Sequence, residues 1–184
     1  MKTFIFSLFF ILLCDGLYAR QDSLSLCMEG LSIHPENQRD FAEHYDRRLD
    51  SHGDFVITPG FLLCYDRAVS NESFSHVRIM GSYISDCALL PAGYVGAGVI
   101  RPFADEKYFS VNVFLGGGWF CRRVWSSRFK DYNSPVMHQN GRIEWTISPF
   151  PGIDLSFHPF DVPASLVVSF SSIIYVSQLA AGVQ

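Results

Sequence analysis

Asp86 and Cys87 stand side by side in Ser85-Asp86-Cys87-Ala88-Leu89-Leu90-Pro91, a carboxylate next to a thiol where a strand gives way to a turn. A thiolate is intrinsically a stronger nucleophile than a hydroxyl, so the pair has the makings of an acyl-transfer centre. Such a centre needs a base within hydrogen-bond reach. His76 lies ten residues before Asp86 on the same alternating segment, about 33 Å away in an extended strand, so it belongs to the opposite end. His138 falls in the 126–141 loop and serves only if that loop folds back. The plainer alternatives are that Asp86 closes a turn, that His138 is a solvated loop residue, and that Cys87 is half of a disulfide, for example with Cys64.

The elements that would carry these groups follow from the compartment. Met1-Lys2 and the apolar run Phe4–Leu13 have the layout of a secretory signal peptide cut after Ala19, since that run is too short to span a bilayer as a helix. About 165 residues then remain, the size of one domain. Four cysteines survive cleavage, Cys27, Cys64, Cys87 and Cys121, and an even number in an oxidising compartment predicts two disulfides. Their spacing excludes a close CxxC zinc motif, and no glycine run is followed by Lys-Ser or Lys-Thr, so neither metal nor nucleotide cofactor is expected. The net charge of −4, with no clustered basic residues, argues against nucleic acid.

Hydrophobic residues make up 48% of the chain and aromatics 15%, yet nothing beyond the signal is long enough for a spanning helix. An exported, greasy chain of this kind predicts a transmembrane β-barrel or a soluble exported β-sandwich. Period-2 alternation runs through Phe55, Ile57, Phe61, Leu63 and Tyr65, through Phe109 to Leu115, through Ile143, Trp145 and Ile147, and through Ile153, Leu155 and Phe157. Aromatic residues at strand ends (Tyr83, Tyr94, Tyr108, Trp119, Trp125, Trp145), the length of the 107–125 run, and charges on the other face (His76, Arg78, Arg142, Glu144) favour the barrel. Seven segments emerge: 54–67, 74–86, 92–102, 107–125, 135–148, 152–159 and 164–180. An eighth comes from splitting a long one or from residues 22–33. The organisation expected is a signal at 1–19, an N-terminal segment at 20–53 and a barrel at 54–184. Phe41, Tyr45 and Leu49 recur at four-residue spacing, which predicts a short amphipathic helix within 20–53.

Residues 92–125, AGYVGAGVIRPFADEKYFSVNVFLGGGWFCRRVW, resemble the lipid A palmitoyltransferase family, with Arg101-Pro102-Phe103-Ala104-Asp105-Glu106 as the most specific part. The resemblance is local, covering a third to a half of the chain. It implies an all-β, antiparallel eight-stranded transmembrane barrel with an N-terminal amphipathic helix, in the outer membrane of a Gram-negative cell. It implies a monomer that moves an acyl chain from phospholipid to lipid A of lipopolysaccharide. The family's Asp-Ser pair falls on Asp86 and Cys87, which become the expected catalytic residues, while its histidine position falls on Gly60. Gly96, Gly98 and Gly116, with Arg101, become the expected substrate-binding residues, the glycines leaving room inside for a chain-like ligand. The alternative is a non-catalytic barrel that binds a lipid or a surface partner, or the soluble sandwich.

Overall fold

The computed structural model describes residues 22–34, 45, 47–52, 54–69, 75–127, 129, 137–159, 165–173 and 176–184. The expected signal peptide, 1–19, lies outside them. Nine strands follow in chain order: β1 Ser23–Ile33, β2 Phe55–Ala68, β3 His76–Ser85, β4 Pro91–Glu106, β5 Phe109–Arg123, β6 His138–Asn140, β7 Ile143–Phe157, β8 Leu166–Ile173 and β9 Val176–Val183. Each pairs antiparallel with its neighbours, β1 closes onto β9, and β5 closes onto β7. Eight strands therefore form a closed barrel, with the short β6 added outside the closure beside β7.

The expected segments map onto these strands with three changes. The eighth strand is Ser23–Ile33, so the barrel begins ahead of residue 54 and 34–54 connects β1 to β2 within it. Segment 135–148 divides into β6 and the first part of β7, and β7 runs on unbroken through most of segment 152–159. Pro149 and Pro151 stand between the two expected segments, but both lie beyond the pairing with β8, which ends at Gly152↔Ser171, so neither interrupts that ladder. Segment 164–180 is instead two strands, β8 and β9, joined at Ile173↔Val176. Nothing at 173–176 is a Gly, Pro, Asn or Asp, so the sequence carries no turn signal there. Of the expected helix, 41–44 and 46 lie outside the described residues. Residues 47–52 form turns, with Arg48 bridged to Val56.

Side chains alternate along every long strand, and the phase is the inverse of a soluble protein. In β7, Glu144, Ser148, Phe150, Asp154 and Ser156 are buried while Ile143, Ile147, Ile153, Leu155 and Phe157 are exposed. Leu24, Leu26 and Met28 of β1, Phe61 of β2, Val95 of β4 and Leu115 of β5 are likewise exposed. A monomer in water rarely exposes a continuous apolar surface on this scale. With every strand paired into a closed ring, such an exterior is what hydrocarbon requires. Tyr83, Trp119 and Trp145 gather outside near one end, and Tyr108, Phe109 and Phe157 near the other, as the two aromatic girdles of such a barrel do. The sandwich alternative does not fit this arrangement.

The lumen is occupied. Arg78 donates through Nε and Nη2 to both oxygens of Asp66 (2.7 and 2.8 Å) and through Nη1 to Asp154 (2.5 Å). Glu29 accepts from Tyr94 at 2.7 Å and also from Ser82. Above Arg78 lies the Phe114 ring at 5.5 Å, and Phe150 packs on Tyr94 at 5.2 Å.

Candidate functional site

The β3–β4 turn positions Asp86 and Cys87. Asp86 N donates to Leu90 O and Leu89 N donates to Asp86 O, both at 2.9 Å, which forces Leu89 to a φ of +58°. That conformation is costly for a side chain with a Cβ and persists only where its surroundings hold it. The holding group is the Asp86 carboxylate: Oδ1 accepts from Ala88 N (3.0 Å) and Leu90 N (2.8 Å). Oδ2 accepts from Trp125 Nε1 at 2.6 Å, tying this turn to the connection that follows β5.

The turn shares a small core with the start of β2 and with the two long connections at this end of the barrel. Tyr45, Val56, Cys87, Ala88 and Trp125 are buried together, with Leu90 and Phe129 against them. Tyr45 meets Trp125 edge-on at 6.0 Å and His34 at 5.2 Å. Arg122 sits 4.0 Å over the Trp125 ring and donates to Glu144 at 2.9 Å. Burial, outweighing its donors, holds the Asp86 carboxyl above the ordinary carboxylate range. The fully buried Cys87 thiol is pushed well above its usual value, first by desolvation and then by the Asp86 charge. A group so placed is a thiol at neutral pH, and the thiolate is the nucleophile.

The structure brings Asp86 and Cys87 together and separates them from the rest of the expected set. Gly60 lies against β3, where an added Cβ would stand 2.5 Å from Tyr83 O and 2.8 Å from Ile84 Cα, so no histidine fits there. His76 bonds Ser75 at the far end. His138 reaches the correct end, but on the outside, 4.7 Å from the Trp145 ring. Arg101 is exposed and pairs with Val113, itself lipid-facing, ten residues or about 33 Å down β4 from Pro91. Gly96, Gly98 and Gly116 do line the lumen with Gly118. The room they leave is taken by protein: Phe150 lies 3.0 Å from a Cβ built at Gly96, and Phe114 lies 2.7 Å from one at Gly98 and 2.5 Å from one at Gly116.

None of Cys27, Cys64, Cys87 and Cys121 is in a disulfide. Cys64 faces Met80, seven residues up β3 from Cys87, a separation far beyond the reach of a disulfide. Sequence reasoning left Glu29, Asp66 and Asp154 without a role, and it placed Tyr94 and Trp125 among the strand-end aromatics of a girdle, whereas both are buried, Tyr94 donating to Glu29 and Trp125 to Asp86. For the three acids the signal was present as a charge in phase with the small and polar residues of the strand and out of phase with its exposed apolar ones.

Fold and exterior together define an eight-stranded β-barrel of the outer-membrane type. No protein-family model matches the chain, and no curated relative does. Similar solved structures include Ail, the attachment invasion locus protein of Yersinia pestis, in complex with the heparin analogue sucrose octasulfate. That match has 18% identity, a TM-score of 0.42, and covers 88% of this chain and 96% of that one. Ail in a phospholipid bilayer nanodisc matches at 16% identity and a TM-score of 0.39, covering 86% and 96%.

Proposed function

We propose that this chain is a non-catalytic barrel of a Gram-negative outer membrane, a rigid mount that presents its long-loop end to a lipid or a surface partner. The connections at 34–54 and 124–142 lie at that end, opposite the start of β1 and the end of β9, and outer-membrane barrels place their longer loops outside. The observation that carries the reading is the occupied lumen. Phe114, Phe150 and the Arg78–Asp66–Asp154 group take the volume an acyl chain would need.

Acyl transfer from phospholipid to lipid A, with Asp86 and Cys87 at the centre, remains the competing reading that the sequence resemblance supports. Mass spectrometry of lipid A from an outer-membrane host making the folded chain separates the two. An unchanged acylation pattern is expected. One added palmitoyl group, lost in a Cys87→Ala variant that still folds, would overturn the non-catalytic reading.

A further inference from the structure

On the outer wall, strands β3, β4, β5 and β7 lie side by side just below the long-loop end. There the exterior is indented by a groove with a volume of about 550 Å³. Its floor is made of small groups, Gly93 and Cys121, paired across β4 and β5. Val95, Tyr83 and Trp119, each more than half exposed, form its walls. Gly93 cannot carry a side chain, because an added Cβ would collide with the Ser82 carbonyl, so the indentation is built into the strand pairing.

The groove ends at charge. Arg123 and Arg142 line its loop-side end, are both exposed, and have no ion pair among the described residues. Val124 N donates to Arg142 O at 3.0 Å, which holds the two arginines on adjoining backbone. Positive side chains beside the aromatic level of a barrel sit at the depth of lipid headgroups. The guanidinium fork matches phosphate, and an apolar slot of this size lies within the roughly 300–1,000 Å³ range of ligand sites.

We propose that this groove is a binding site for a membrane phospholipid, with one acyl chain along Gly93, Val95 and Trp119 and the headgroup phosphate between Arg123 and Arg142. The site rests on the membrane-barrel reading and deepens it, since it names a lipid class and a place for it on the outer wall. It is separate from Asp86 and Cys87, which face the loop core.

Native mass spectrometry of the full chain refolded in detergent tests it, with heat-modifiable gel mobility as the check on folding. Phosphatidylglycerol is the probe, diacylglycerol supplies the same chains without phosphate, and glycerol 3-phosphate supplies the phosphate without chains. Retained phosphatidylglycerol adducts are expected, with at least tenfold weaker retention of the other two. The double variant Arg123→Gln/Arg142→Gln and the groove-filling Val95→Trp should each weaken phosphatidylglycerol at least tenfold while keeping the heat-modifiable shift. Equal retention of diacylglycerol, or a folded double variant that holds phosphatidylglycerol as the parent does, would overturn the site while leaving the barrel standing. Absence of any heat-modifiable shift in the parent chain would overturn the barrel reading beneath it.

Discussion

Asp86 acts through geometry. Its two oxygens take three donors, two from its own turn and one from Trp125, and so hold a left-handed Leu89 and a second connection in place. Hydrogen bonds to a charged group are worth about 1.5–3 kcal/mol. Asp86→Ala should therefore cost about 2 kcal/mol or more in urea unfolding from micelles and should raise exchange at the Trp125 indole N–H. Because the folded carboxyl titrates above the unfolded one, the folded state binds the proton first on acidification. The group's contribution to stability thus rises as pH falls through that window and is lost as pH rises through it. Asp86→Asn should flatten this part of the pH profile, a point read from urea midpoints between acid and neutral pH. Cys87, buried and protonated, should resist iodoacetamide at neutral pH and react only on unfolding. Rapid labelling of the folded chain would show a reactive thiol there instead.

At the level of strands, inward glycines and inward rings are one device. Gly118→Val would drive a side chain into Phe150 and the Val95 carbonyl, while Gly117, one residue along, points outward with its nearest neighbour, Ser148 O, 3.6 Å from an added Cβ. Overpacking a filled core costs about 1–3 kcal/mol. Gly118→Val should thus refold poorly, and cutting Phe150 to Leu should not restore the yield because the Val95 carbonyl still blocks the new side chain, whereas Gly117→Ala should be silent in refolding yield on gels. Removing Asp154 leaves Arg78 with Asp66 alone, and breaking a buried pair costs about 3–5 kcal/mol. Asp154→Ala should lower the urea midpoint accordingly, more than Asp154→Asn.

These elements also show what the sequence could carry. Strict alternation at Ile143–Ser148 and Ile153–Phe157 gave strand positions and phase directly. The join between them was hidden because proline marks a break only where a partner strand needs its N–H, and partnership is a tertiary fact. The hairpin at 173–176 was hidden because it has no turn residues. The adjacency of Asp86 and Cys87 is plain in the sequence. Their burial depends on Tyr45 and Trp125, which arrive from distant connections. The glycines were legible as space, but what fills it comes from β5 and β7.

For the whole molecule, the account is a closed wall, greasy outside, packed and ion-paired inside, with loops tied together at one end. A lumen filled in this way should give no stepwise conductance in a planar bilayer, whereas deleting both inward rings, Phe114→Ala/Phe150→Ala, should raise leak or lower stability. The most direct test of wall and filling together is site-directed spin labelling along β7 in lipid vesicles, in a background whose native cysteines are replaced. Collision with oxygen and with a water-soluble nickel reagent would be read at successive positions from Ile143 to Phe157. The account predicts oxygen access that peaks at Ile147, Ile153 and Leu155, and low access to both reagents at Thr146, Ser148, Asp154 and Ser156. Strong nickel access at those inward positions would mean an open aqueous lumen, and loss of the two-residue period would mean that β7 does not cross the membrane as part of a barrel.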